Sequence, residues 1–97
     1  MSEDVRVVAL MEAKQGEESA VQQACEACVG PTRQEAGCDM YVLHRDSQNP
    51  SLLVFVEHWK SEGALKQHMQ TPHFKALTQA LDGKLKQAMS VHVLQPV

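Results

Sequence analysis

A chain of 97 residues that is 43% hydrophobic and 22% charged is one globular domain spanning residues 1–97, with no room for a second. Its formal net charge of −3, with acids and bases interspersed and no basic run, argues against nucleic acid, whose phosphates need clustered Lys and Arg. No apolar run reaches membrane-spanning length, and MSEDVRVVAL lacks the charged-then-apolar layout of a signal peptide, so a cytoplasmic protein without membrane contact is expected.

Val5 to Ala13 reads as a strand that is apolar on both faces, with Val5, Val7, Ala9 and Met11 on one and Val8 and Leu10 on the other. After the Gln15-Gly16 turn, Glu17 and Glu18 fall in the first turn of a helix, where acids favour the dipole. The helix is predicted to run to about Val29 or a little beyond, with a kink or interruption at Gly30-Pro31. Val21, Ala24, Cys25 and Cys28 fall at i, i+3, i+4 and i+7, the buried stripe of that helix. The Cys25–Cys28 pair therefore reads as small buried hydrophobes. It lies too late in the helix for a redox pair, and no second pair exists to complete a zinc site.

Cys38 to Arg45 and Ser51 to Trp59 read as two strands joined by turn chemistry at Asp46-Ser47-Gln48-Asn49-Pro50, an antiparallel hairpin. Ser61 is the predicted N-cap of a short helix whose inner face carries Ala64, Leu65, His68 and Met69. Thr71 caps a second helix with Pro72 at its first position, and Phe74, Leu77, Thr78 and Leu81 form the inner stripe. Gly83 closes that helix, and Met89 to Leu94 is the last strand.

The predicted order is β-α-β-β-α-β with the second helix broken in two, the ferredoxin-like α+β arrangement of an antiparallel sheet with helices on one face. Because the strands are apolar on both faces, the helix-free face needs cover, and a homodimer formed through it is expected.

On that frame the segments PTRQEAGCDMYVLHRD (Pro31 to Asp46), FVEHWKS (Phe55 to Ser61), HMQTPHFKAL (His68 to Leu77) and VLQP (Val93 to Pro96) stand out. With them the chain resembles the antibiotic biosynthesis monooxygenase family of dimeric α+β barrel proteins, in particular its quinol monooxygenase-like branch. The resemblance implies an oxygenase of phenols, quinols or related aromatics that works without cofactor. The haem-degrading branch of the same family uses an Asn, a Trp and a His at positions that here are Ala9, His68 and Thr78, so haem degradation is not implied. A branch that processes an autoinducer sugar phosphate shares the His68 and Thr71-Pro72-His73 pattern, which leaves a non-oxidative isomerase as an alternative.

No glycine-rich phosphate loop, HxxxH or paired-carboxylate motif is visible, so neither a cofactor nor a metal is expected. A spacing of five between His68 and His73 is not a usual helical ligand pair. An oxygenase of this kind takes its electrons from the substrate and needs a base, oxyanion donors and apolar walls. His68, on an inner helix face, is the candidate base; a helix-end His bonded to a carbonyl of the interrupted turn is the structural reading. His73, in a helix's first turn where a positive charge is disfavoured, reads as a neutral hydrogen-bonding or capping residue and is a candidate substrate-binding residue with Tyr41, Glu57, Trp59 and Phe74. Tyr41 is a candidate hydroxyl donor, and Trp59 and Phe74 are candidate walls. Glu57 either orients a histidine or a substrate hydroxyl, or makes a salt bridge across the dimer with Arg45 or Arg33. His44 and His58 face the expected dimer interface. A third reading is a dimeric binding module that leaves its aromatic ligand unchanged.

Overall fold

The computed structural model describes residues 4–97; residues 1–3, part of the N-terminal stretch read for a signal peptide, lie outside it. Strand β1 (Val5–Glu12) leads into helix α1 (Glu18–Arg33), then a hairpin of β2 (Cys38–Arg45) and β3 (Leu52–Trp59). Two short helices follow, α2 (Glu62–Met69) and α3 (Pro72–Leu81), and β4 (Ser90–Leu94) closes the order. All strand pairs are antiparallel and the sheet order is β2-β3-β1-β4. The molecule is a ferredoxin-like α+β fold with its second helix in two pieces. No helix among the described residues is long and apolar enough to cross a membrane.

Alternation along the strands separates two sheet faces. Val5, Val7, Ala9 and Met11 of β1 pair with Trp59, Glu57, Phe55 and Leu53 of β3, and Tyr41 of β2 lies opposite Glu57. These residues are all buried and meet the helices' apolar stripes. Each fully buried large apolar side chain stabilises the fold by roughly 1.5–3 kcal/mol. On the other face Val8, Leu10, Val42, Val54 and Val56 are only half-buried in the single chain.

Gly16, at φ 89°, turns the chain back toward α1 in a conformation that side chains rarely adopt. Helix α1 buries Val21, Cys25, Cys28 and Thr32. The sequence predicts a helix to about Val29 or a little beyond, with a kink or interruption at Gly30-Pro31; the helix runs through Pro31 without interruption and ends at Arg33. Pro31 gives up its own N–H bond to the carbonyl four residues back, and the end of the helix is held instead by the Gln34 N–H on the Pro31 carbonyl at 3.2 Å and the Glu35 N–H on the Thr32 carbonyl at 3.0 Å. Beyond it Thr32 is fully buried, with its hydroxyl 3.4 Å from Cys28 Sγ, which anchors that turn.

The break between α2 and α3 is built from two caps. Ser61 Oγ accepts the Ala64 N–H at 3.1 Å, and Thr71 Oγ1 accepts the Phe74 N–H at 3.2 Å. The Thr71 hydroxyl also donates to the His68 carbonyl at 2.7 Å, so one side chain ends α2 and starts α3. Pro72 occupies the first turn of α3, and Gly83, at φ 77°, lies just past its end. Thr78 departs from the predicted inner stripe: it is exposed, with its hydroxyl turned back to the Lys75 carbonyl. The buried stripe of α3 is narrower than the sequence suggests because its core contacts run along Phe74, Leu77 and Leu81.

Candidate active site

His68, in the last turn of α2, is 1% exposed and enclosed by rings. Its centroid lies 4.6 Å from Trp59, 5.0 Å from Phe74 and 5.5 Å from Tyr41. Nδ1 is 2.7 Å from Glu35 Oε2, and Nε2 of His73 is 2.7 Å from the same oxygen. A nitrogen facing a carboxylate oxygen at that distance carries the proton, so His68 Nδ1–H donates to Glu35. The other ring nitrogen, Nε2, is buried and has no hydrogen-bond partner among the described residues. Leaving such an atom unmatched costs about 1–3 kcal/mol, which marks it as a place where a ligand's hydroxyl is welcome.

His68 belongs to the wall of a small cavity lined by Val7, Ala9, Phe55, Leu65, Met69, Leu77, Met89 and Val91, together with Tyr41, Glu57 and Phe74. Glu35, which holds Nδ1, is not part of this wall, so the cavity meets the rest of the His68 ring. The free space is about 10 Å³, close to one water molecule. Met89 also lines an open groove of about 430 Å³ between the end of α3 and the approach to β4. It is therefore the partition between the groove and the cavity, and a thioether side chain adapts readily to a guest.

Two carboxyl-bearing residues set the electrostatics. Glu57, 5% exposed, accepts the Trp59 indole N–H at 2.8 Å. Burial pushes its carboxyl up to about 7, against the lowering effect of that hydrogen bond, with Glu35 adding a smaller upward push. Burial also lowers the pKa of His68, and the Glu35 hydrogen bond and charge oppose that. His68 is thus held neutral near neutral pH, with a carboxylate ready to stabilise its charged form.

Of the predicted site residues, Tyr41, Glu57, His68 and Phe74 share the cavity wall, and Trp59 packs against His68 at a tilt of 35° while donating its indole N–H to Glu57. His73 stands outside the wall and reaches His68 only through Glu35. Tyr41's hydroxyl is engaged, donating to Cys28 Sγ at 3.7 Å, and burial pushes its pKa upward. Glu57 lies on the helix side of the sheet, so it does not bridge a dimer across the bare face. Its proposed partners are occupied elsewhere, Arg33 on the Tyr41 carbonyl and Arg45 on Gln22. His44 and His58 are on the helix-free face. Cys25 is fully buried and its thiol is pushed up to about 12, a structural cysteine.

Glu35 is the residue that sequence reasoning missed. It follows α1 by two positions and lies 33 residues from His68 in the chain. No local pattern distinguishes it among the acidic residues; the only available signal was the general need of a buried histidine base for an orienting acid. Glu35, His68 and His73 also present ligand atoms within 4.8 Å of one another. A tetrahedral Zn²⁺ with bonds of about 2.0–2.1 Å would hold its donors about 3.3 Å apart. The 2.7 Å found on both sides of Glu35 Oε2 is hydrogen-bond length.

The fold and site together define a ferredoxin-like domain with a histidine-bearing apolar pocket between sheet and broken helix. The chain belongs to the antibiotic biosynthesis monooxygenase family, whose model matches residues 4–80. It is 36% identical over 70 residues to the Escherichia coli K12 protein named "Probable quinol monooxygenase YgiN", covering 64% of this chain and 66% of that protein. The Mycobacterium tuberculosis protein named "Putative monooxygenase Rv0793" is 30% identical over 97 residues, covering 100% of this chain and 95% of the relative. The crystal structure of PA3566 from Pseudomonas aeruginosa superposes with a TM-score of 0.92 at 30% identity, covering 100% of this chain and 97% of the other.

Proposed function

We propose that the protein is a cofactor-independent monooxygenase that oxidises a quinol or related small aromatic with O₂, using His68 as its base, in a homodimer formed through the helix-free sheet face. The observation that carries this reading is the bare, buried Nε2 of His68, a residue that lines an apolar cavity. A hydroquinone enters by displacing Met89, which joins the cavity of about 10 Å³ to the groove of about 430 Å³; one hydroxyl then meets His68, and Glu57 is in the same wall for its second hydroxyl. Transfer of the phenolic proton to Nε2 leaves an electron-rich quinolate in a site that excludes water. The quinolate is the reductant. Where an oxygen atom is inserted, a hydroquinone with a free ring position plus O₂ gives a hydroxyquinone plus water, with the substrate supplying all four electrons. The monooxygenase names of the relatives agree with this reaction class.

The test is oxygen uptake with a hydroquinone, compared between wild type and His68→Ala with folding checked by circular dichroism. Wild type should exceed the hydroquinone's own autoxidation, and the variant should lose at least about 100-fold of the catalysed rate, the usual worth of a general base. Turnover no faster than autoxidation overturns the proposal. So does proton exchange on an enolisable substrate without oxygen consumption, which belongs to an isomerase.

A further inference from the structure

We infer that Glu35 is a positioning residue for His68, fixing which ring nitrogen carries the proton, and that His73 holds Glu35 in place for that task. The inference rests on the reading of His68 as the base. One carboxylate oxygen, Oε2, lies 2.7 Å from His68 Nδ1 and 2.7 Å from His73 Nε2. Both nitrogens must donate to it, because an anionic oxygen only accepts.

The consequence for His68 is a defined tautomer. A free neutral imidazole prefers its proton on Nε2, which would leave no lone pair on that nitrogen. The Nδ1–H to Glu35 bond reverses that preference and turns the unpartnered Nε2 of this cavity-lining residue into an acceptor. When Nε2 takes a proton, the charge it creates already has an anion 2.7 Å from the other end of the ring.

Glu35 is itself held from three directions. Its backbone N–H donates to the Thr32 carbonyl at 3.0 Å, its carbonyl accepts the Cys38 N–H at 3.1 Å, and its side chain takes the His73 bond. Glu35 and His73 side chains keep 15% and 20% of their surface, so this pair reaches solvent while His68 does not. The arrangement draws on three elements, the loop after α1, the end of α2 and the start of α3. It therefore exists only when the helix break is in register.

The experiment is ¹⁵N NMR of the His68 ring in substrate-free protein, paired with pH profiles of hydroquinone oxidation. Wild type should show a protonated Nδ1 and an unprotonated Nε2. Glu35→Gln, nearly the same in shape, should lower the pKa of His68 and move the acid limb of kcat down by about one pH unit or more. It should also cut kcat by at least tenfold with little change in KM. Glu35→Asp should recover part of the loss. His73→Leu should reproduce a milder form of Glu35→Gln, and His73→Gln, which still offers an N–H, should lose less than His73→Leu. An Nε2–H tautomer in wild type, or a Glu35→Gln variant with unchanged ring signals and pH profile, overturns the inference. One tightly held Zn²⁺ or Fe²⁺ per chain, lost in Glu35→Gln and His73→Leu alike, would also overturn it by making the three residues ligands. Because the tautomer is read without substrate, a failure of quinol oxidation leaves this result separately readable.

Discussion

Glu57 shows how a single buried carboxyl couples the pocket to stability. Its pKa rises from 4.5 to about 7, chiefly through burial. Between those two values the native state holds a proton that the unfolded chain releases, so stability falls as pH rises through the window. Below both values the group has no effect, and above both it costs up to about 3 kcal/mol. Glu57→Gln keeps an amide oxygen for the Trp59 N–H and removes the titration. It should match wild type near about pH 4 and exceed it by up to about 3 kcal/mol near about pH 8, measured by urea unfolding. Equal stability of the two proteins at both pH values would show that Glu57 is solvated. At this scale the sequence marked His68 and Glu57, because a helix face and a strand face are periodic and local. It did not mark Glu35, whose importance comes from a partner far away in the chain.

The helix break and the loop that carries Glu35 depend on close backbone approach. A Cβ at Gly37 would run into Ala64 Cβ on α2, so the loop after α1 can lie against α2 only because residue 37 has no side chain. Gly37→Ala should destabilise the fold by about 1–3 kcal/mol, the cost of forcing an extra methyl into a packed contact. It should lower activity as well, by moving Glu35 away from His68. Ala64→Gly in the same chain should recover most of the packing loss, read as a coupling energy in a double-mutant cycle. Simple additivity of the two changes would refute the contact. The boundaries of β2 and both caps at Ser61 and Thr71 were legible, since cap and turn chemistry is local. The uninterrupted run of α1 through Pro31 was not legible, because it depends on the buried Thr32 beyond it, and Thr78 was misplaced because the width of a stripe depends on what packs against it.

For the molecule as a whole, the helix-free face is the main unresolved demand of the sequence. Val8, Leu10, Val42, Val54 and Val56 form a half-buried apolar surface across three strands. The proposed homodimer would cover it, removing apolar surface from water at roughly 25 cal/mol per Å². Val54 pairs with Leu10 on one side and His44 on the other, which puts it centrally on that face. Val54→Lys should shift the protein from dimer to monomer in sedimentation equilibrium while leaving the helix-side core intact. A wild type that sediments as a monomer at micromolar concentration would rule out this assembly.

By itself the sequence determined the element order, the caps of the broken helix and the separation of two apolar sheet faces. Those features follow from periodicity and short-range backbone chemistry, which are written in neighbouring residues. Only the tertiary structure decided which nitrogen of His68 carries the proton, since that rests on Glu35 and His73 arriving from separate elements at one oxygen atom. It also decided that Glu57 faces the pocket as a buried, hydrogen-bonded carboxyl, because burial and dielectric belong to the packed whole.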